Sequence, residues 1–449
     1  MSTDELTRAQ APARAGKFRR WLRRKPVRRV LVVTHRWTSL VLGLFLVLET
    51  TSGAILLYRG EYFRATHSDF YHQTPTEHPI SLQQARDIVA TAHPEFSPAW
   101  VSNDGGVIAV GDPDFAEAYA VDPGTGRING SARLESGAMG FLANLHDCGL
   151  TCEGYPGYVS WLAKPVPTIG FAWPPGTNWG LLLLVVLGLL MVLLAITGIV
   201  VWWPGARRFS HGFRVRTGKG RFARDYDLHN VIGIVAVPFV LMWGVTGAAF
   251  YLPPVKDAWL AVTGGTAADP QKYSFTADAA APGTPEIGID QAAAAALAET
   301  PGEIRYLTTP QDGYYSVSIA SAGYQPYGAR AFFGGDHTVY VDSHDATHVS
   351  DVDIKPEPGA NSFYDTVFEP AHFGWLVGGW WRIVWFVLGL APLALMLTGI
   401  STWLFRSGSK RRRREARAQR ETQRETQREA QCQTQRETPA NTEPRQATA

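Results

Sequence analysis

Charged side chains are scarce in this chain, 18% of 449 residues against 45% hydrophobic ones, a balance that belongs to a protein partly withdrawn from water. The mean hydropathy of −0.09 is nevertheless too low for a chain buried mostly in lipid, so the wet portion is large. Gly-x-Gly-x-x-Gly and P-loop motifs are absent, which removes the usual cradles for dinucleotides and nucleoside phosphates. So is His-Glu-x-x-His, and nothing suggests a Ser-His-Asp arrangement, which leaves no case for those hydrolases. A formal net charge of +2 gives no ground for a nucleic-acid partner.

Apolar runs of a bilayer's length are what the chain has instead. Thr34 to Tyr58 (THRWTSLVLGLFLVLETTSGAILLY) has a near twin in Asp227 to Tyr251 (DLHNVIGIVAVPFVLMWGVTGAAFY). Each carries a histidine at its polar end, His35 or His229, and a glycine 18 residues later, Gly53 after Ser52 and Gly247 after Thr246. At about 100° per residue that interval closes whole turns, so histidine and glycine share one helix face and leave room for something flat and large. Two further spans, Asn178 to Trp203 and Trp380 to Leu404, repeat Trp179, Gly188, Thr197-Gly198 and Trp202 as Trp380, Gly389, Thr398-Gly399 and Trp403, at a constant offset of 201. The expected fold is therefore an α-helical integral membrane protein, its four transmembrane helices arranged as two parallel repeats of helix, large loop, helix.

Positive charge fixes the expected topology. Residues 1–30 hold ten Lys and Arg, 204–227 hold seven, and the tail from 405 holds twelve. The loops 59–177 and 253–379 hold about a dozen between them, with 29 of the 40 acids. The positive-inside rule places both termini and the short loop in the cytoplasm and the two long loops outside. The expected order is a basic arm at 1–30, spans at 31–58, 178–203, 228–252 and 380–404, outer domains at 59–177 and 253–379, a basic loop at 204–227, and a tail at 405–449. The first span is too long, and too poor in a following cleavage site, for a removable signal peptide. The basic flanks suit an anionic lipid surface. The tail's Arg-Glu-Thr-Gln repeats lack an apolar stripe and read as disordered or transiently helical.

The outer segments share a pattern. Ile80 to Phe96 has apolar residues at helical spacing, and VIAVGDP and AEAYAVDPGTGRING alternate like strands around a tight Asp-Pro-Gly-Thr-Gly turn. Ile287 to Thr300 repeats the helix, with Gln291-Ala292 matching Gln84-Ala85, and YYSVSIA and TVYVDSHDATHVSDV supply strands. A helix followed by strands with a VDPGTG turn resembles the PepSY domain. Two such α+β domains threaded between histidine-bearing helices resemble the PepSY-associated transmembrane family of iron-regulated bacterial membrane proteins, from His35 to Trp403.

Four of the twelve histidines lie at membrane edges in equivalent places. His35 and His229 form an inner pair; His146 (FLANLHDCGL) and His372 (EPAHFGWLVGG) form an outer pair. Neutral imidazoles from facing helices can hold a haem iron, and without Cys-x-x-Cys-His such a haem is non-covalent, b-type. From the residues alone, interfacial anchoring of the histidines and close helix packing at the glycines stay open. The resemblance extends to ferric-siderophore reductases of this family and implies two haems b, with His35, His229, His146 and His372 as axial ligands and Gly53 and Gly247 packing against them.

Several other residues stand out. Glu49 lies deep in the first span beside Thr50, Thr51 and Ser52; a proton-linked or haem-adjacent role and a plain helix contact are both open. Arg36 is a candidate for a haem propionate, although the positive-inside rule already accounts for it. Cys148 and Cys152 suit a disulfide on the oxidising side. His337, His344 and His348, with Asp336, Asp342 and Asp345, suit either a transition metal or a solvated strand and turn. His67, His72 and His78 read as solvated. Trp161, Trp173, Trp375 and Phe171 suit a ligand site or the lipid headgroups.

The resemblance implies an inner-membrane di-haem electron conduit that reduces a periplasmic ferric siderophore, with electrons from a cytoplasmic donor or quinol. The alternative is a non-enzymatic PepSY module that binds a peptide or protein partner; a homodimer is compatible with either. A transporter is disfavoured by two halves of the same topology without a broken helix.

Overall fold

A computed structural model describes residues 25–168, 173–267, 274–324, 335–352, 359–374 and 379–437, with side chains described through residue 428. The basic arm as far as residue 24, together with Phe171, Trp375 and residues 438–449, falls outside them. Among the described residues four helices are long and apolar enough to cross a membrane: Pro26–Leu56, Trp179–Trp202, Arg221–Tyr251 and Trp381–Arg428. They correspond to α1 (Lys25–Leu56), α5 (Trp179–Trp202), α6 (Arg221–Tyr251) and the pair α11 (Trp381–Gly389) and α12 (Ala391–Glu437). α11 and α12 part at Leu390, two residues before Pro392, whose missing N–H and fixed φ interrupt a continuous ladder.

Two compact units make up the chain: Met1–Trp203 with Gly233–Leu393, and Pro204–Ile232 with Ala394–Ala449. In the first, the helices meet where the sequence offers no side chain. A Cβ on Gly188 would stand 2.8 Å from the carbonyl oxygen of Gly244 and 3.0 Å from Ala248, and one on Gly389 would stand 2.8 Å from the Cβ of Ala54. The glycine repeated at the 201-residue offset is thus a close-approach point both for α5 on α6 and for α11 on α1.

The long segments of this unit carry short helices and strands. The first holds α2 (Arg59–Thr66), α3 (Leu82–Ala92), β1 (Trp100–Asp104), β2 (Val107–Gly111), β3 (Glu117–Val121), β4 (Ile128–Arg133) and α4 (Gly137–Cys148). The second holds α7 (Pro254–Thr263), α8 (Ile289–Glu299), β5 (Glu303–Thr308), β6 (Tyr314–Ala320), β7 (His337–Asp342), β8 (Val349–Asp351), α9 (Gly359–Phe363), a π-helical turn at Tyr364–Phe368 and α10 (Glu369–His372). The sequence leads one to expect an outer domain in each segment; their strands instead join in one antiparallel sheet of order β4-β3-β2-β1-β5-β6-β7-β8. The seam is the β1–β5 pair, with Trp100 opposite Thr308, Val101 opposite Leu307 and Ser102 opposite Tyr306. Ser102 Oγ donates to the Arg305 carbonyl at 2.6 Å and Asn103 Nδ2 to that of Ile304 at 3.0 Å, which locks the register.

α3 and α8 cover one face of the sheet. Ser81 caps α3 in a reciprocal capping box with Gln84, a helix start legible in Ser-Leu-Gln-Gln. Ala85 and Val89 of α3 and Ala292 and Ala296 of α8 are fully buried against Val101, Val110, Leu307, Val317 and Val341. Alanines on the helix faces admit close approach, and the valines of the strands fill the pleat. The VDPGTG turn is built on buried Asp122, which accepts the N–H groups of Thr74 and Gly124, both at 3.0 Å, and the hydroxyls of Thr74 and Thr125 at 2.6 and 2.9 Å. Those bonds, the Thr74 hydroxyl first, outweigh burial and hold its carboxyl well below the usual range.

In the second unit the start of α6 and the body of α12 are tied by buried acids. Asp225 accepts from Ser401 Oγ at 2.6 Å and pairs with Arg224 at 2.9 Å, and Asp227 takes Arg216 through Nε and Nη2 at 2.7 and 2.8 Å. α12 runs on to Glu437, so residues 405–437 are helical, where the repeats suggest disorder or a transient helix. The span supplies a ready nucleus, and propagation costs far less than nucleation. Pairs one turn apart add to it, Arg411–Glu415 at 3.5 Å and Arg417–Glu421 at 3.0 Å.

Candidate functional site

His146 stands in the last turn of α4 and is fixed from both sides along the chain. Gly149, at φ 58°, ends the helix, and the Cys148–Cys152 disulfide closes the loop that follows. Asn144, fully buried, receives the N–H of Cys152 at 3.0 Å and donates to the Pro156 carbonyl at 3.1 Å. The imidazole then leans on α1. Its Nδ1 lies 2.8 Å from the Glu49 carbonyl, 3.1 Å from Glu49 Oε1 and 3.4 Å from Ser52 Oγ.

His372 ends α10, a helix of four residues whose free carbonyls need donors. Two indoles supply them: Trp385 Nε1 donates to the Ala371 carbonyl at 2.7 Å and Trp243 Nε1 to that of His372 at 3.0 Å. Gly374, at φ 81°, lets the chain turn away beneath Trp385, where a Cβ would meet the indole at 3.0 Å. His372 Nδ1 lies 2.6 Å from Thr246 Oγ1 of α6, and Phe250 and Phe373 flank the ring with centroids at 5.1 Å.

The two imidazoles, from opposite halves of the sequence, have centres 6.3 Å apart with planes inclined at 50°. Two imidazoles on one metal ion, with metal–nitrogen bonds of about 2.0 Å, place their centres about 6 Å apart, so the spacing fits a shared iron. Both rings line a cavity of about 460 Å³ together with Glu49, Gly53, Met191, Trp243 and Gly247, a volume within the range of cofactor pockets. Arg59, Asp147 and Tyr251 also line it. Arg59 is buried, its Nη1 2.9 Å from Glu135 Oε1 and 3.6 Å from Asp147 Oδ2, while Tyr251 Oη donates to the Asp147 carbonyl. Burial pushes the Glu135 carboxyl up to about 7; Arg59 opposes the rise and Asp147 adds to it.

His35 belongs to the first unit and His229 to the second. His35 Nδ1 lies 3.0 Å from Thr197 Oγ1 of α5. His229 Nδ1 lies 3.1 Å from Thr398 Oγ1 and 3.1 Å from the Leu395 carbonyl, both of α12. Gly198 and Gly399 face these rings: a Cβ on either would stand 3.5 Å from the Cε1 of His35 or His229. Gly247 has the same relation to His372, at 3.5 Å, and Gly53 a far tighter one to His146, at 2.4 Å.

The glycines singled out by the 18-residue spacing thus serve a histidine of another segment. Gly53 backs His146 and Gly247 backs His372, and both also line the cavity. Thr197, Thr398, Ser52 and Thr246, visible in the sequence only as repeat markers, are contacts of the four histidines; each lies on a different helix from its histidine, where no helical period reports it. Arg36 packs its guanidinium over Trp37 at 5.4 Å.

The other candidates stand apart from this cavity. His337, His344 and His348 do not converge on one point: His337 Nδ1 pairs with Asp351 at 2.9 Å, His344 Nδ1 lies 3.1 Å from the Pro285 carbonyl, and His348 Nδ1 faces Asp278 at 3.2 Å and Asp342 at 3.6 Å. Asp278, Asp342 and His348 come within 4.8 Å of one another. Asp342 is, however, the counterpart of Asp122 as a turn anchor, with its oxygens taken by the N–H groups of Asp278, His344 and Asp345 at 2.6, 2.8 and 3.2 Å. His67 stacks on Phe63 at 4.4 Å, and His72 and His78 are exposed.

None of the curated proteins compared with the chain matches it. The family described as the PepSY-associated TM region matches residues 32–406, which takes in all four histidines and their glycines, and the chain belongs to that family.

Proposed function

We propose that His146 and His372 hold a non-covalent b-type haem and that the protein is an inner-membrane electron conduit, both termini cytoplasmic, which reduces a ferric siderophore on the outer side. The observation that carries this reading is the imidazole pair, centres 6.3 Å apart, inside one cavity of about 460 Å³. A haem so held supplies reversible one-electron transfer. The residues divide the remaining work. His146 and His372 would ligate the iron, Gly53 and Gly247 seat their two rings, and Leu184, Met191 and Trp243 give the cavity an apolar wall. Arg59, paired with Glu135 and Asp147, gives the lining a cationic group.

His35 and His229, each against its own Thr-Gly pair, extend the proposal to a second haem b per chain. Electrons would arrive from a cytoplasmic donor or quinol. Ferric iron bound by hard oxygen ligands is held less tightly once reduced, so one electron, taking Fe³⁺ to Fe²⁺, suffices for release.

The test is the absorption spectrum of detergent-purified protein, oxidised and dithionite-reduced, with pyridine haemochrome quantification. Two b-type haems per chain, falling to one in His146→Ala or His372→Ala, are the expected result. A colourless protein from cells given ample iron and haem precursor would overturn the redox reading in favour of a membrane-anchored module that binds a peptide or protein partner.

A further inference from the structure

We propose that the pairs Thr197-Gly198, Thr246-Gly247 and Thr398-Gly399, and Ser52-Gly53 together with the Glu49 carbonyl, are positioning notches, each fixing the Nδ1–H tautomer of one membrane histidine and so leaving Nε2 as its lone-pair nitrogen. The inference rests on the haem reading for the identity of the metal, but the tautomers themselves are a property of the chain.

The argument follows the protons. A hydroxyl has one to give, and in each notch it goes to the hydroxyl's own helix. Thr197 Oγ1 donates to the Leu193 carbonyl, Thr246 Oγ1 to Met242 and Thr398 Oγ1 to Ala394, all at 2.7 Å, and Ser52 Oγ donates to the Glu49 carbonyl at 2.8 Å. Toward the imidazole the oxygen is therefore an acceptor, and the Nδ1 that meets it, at 3.0 Å in His35 and 2.6 Å in His372, carries the hydrogen. In the other two the same conclusion follows separately, because a carbonyl only accepts: Leu395 O lies 3.1 Å from His229 Nδ1 and Glu49 O lies 2.8 Å from His146 Nδ1. A neutral imidazole with its hydrogen on Nδ1 offers its lone pair at Nε2, and an oriented outer partner of this kind fixes the ring of a ligating histidine. The glycine is the second half of the device: with no Cβ, it admits the Cε1 edge of the ring to van der Waals contact with the helix, the position from which Nδ1 reaches the hydroxyl one residue earlier.

These residues act through the histidines and are positioning residues. The decisive measurement is ¹⁵N NMR of histidine-labelled, haem-free protein, with His372 assigned by comparison with His372→Gln. The expected wild-type signal is Nδ1–H with an unprotonated Nε2. Thr246→Val, which keeps the shape and removes the acceptor, should shift His372 toward the Nε2–H tautomer, and Thr246→Ser should restore the wild-type signal. In haem-loaded protein Thr246→Val should bind the His146–His372 haem about 10- to 100-fold more weakly, the usual effect of losing such a partner, again with rescue by Thr246→Ser. An Nε2–H signal for His372 in the wild type, or an unchanged one in Thr246→Val, would overturn the inference. A colourless protein with the stated tautomers would end the haem reading and support this one.

Discussion

Gly53 and Gly247 look equivalent in the sequence, yet alanine should separate them. In α1 a Cβ at position 53 would stand 2.4 Å from Cε1, 2.8 Å from Nε2 and 3.1 Å from Nδ1 of His146. Carbon contacts are comfortable at about 3.5–4.0 Å, so the ring must retreat by about 1 Å. It then loses the Glu49 carbonyl now 2.8 Å from Nδ1. Overpacking costs about 1–3 kcal/mol and the lost hydrogen bond about 1 kcal/mol, offset by the gain of about 1 kcal/mol from replacing a mid-helix glycine. Gly53→Ala should therefore destabilise by about 1–3 kcal/mol. At position 247 the same Cβ makes an ordinary contact, 3.5 Å from His372 Cε1, and the helix gain stands nearly alone. Gly247→Ala should be neutral or stabilising by up to about 1 kcal/mol. Equilibrium unfolding of the haem-free variants in one detergent measures both. Equal stability of the two variants, or a Gly53→Ala protein in which His146 keeps its wild-type ¹⁵N signal, would refute the steric reasoning.

Three further outcomes follow from other parts of the chain. Replacing Asp122 by Ala orphans two N–H groups and two hydroxyls in a buried turn and should cost about 2–4 kcal/mol in denaturant unfolding. Because its carboxyl titrates well below the usual range, the stability it adds is complete above about pH 4 and drains away as pH falls further; Asp122→Asn should flatten the acid limb of a stability–pH curve. Glu135 has the opposite sign: half-buried and raised from 4.5 to about 7, it keeps a proton in the folded state that the unfolded chain has released, so stability should decline with rising pH across that interval and Glu135→Gln should remove the decline. Opening the Cys148–Cys152 loop with paired serines should cost about 2 kcal/mol, by the entropy of a short loop, and should loosen His146, readable as faster hydrogen exchange at the end of α4.

The spans are legible because their signals are local: a run of apolar residues and, in the second and fourth, a repeat at a fixed offset. The same-face relation of His35 and Gly53 is sound geometry, but a helix face does not name what lies across from it. His35 meets Thr197 from 162 residues away and His372 meets Thr246 from 126, and no periodicity within one helix encodes either contact. The strands of each long segment are readable from alternation and, in the first, from the VDPGTG turn. Their union is not, because β1 and β5 show nothing in their sequences that distinguishes a shared seam from two separate edges. The tail's continuous helix has no stripe of its own to announce it: its stability is inherited from the span before it.

That seam bears on how the chain is made. Trp100 pairs with Thr308, so β1 waits for a partner synthesised some two hundred residues later, after two more hydrophobic helices have been inserted. Until then the half-finished sheet presents an open backbone edge, the kind of surface that chaperones hold and proteases sample. A product interrupted between Trp203 and Glu303 would carry that edge permanently. Completion of the sheet thus doubles as a checkpoint on synthesis, and a first half expressed alone should be degraded unless the second half is supplied beside it.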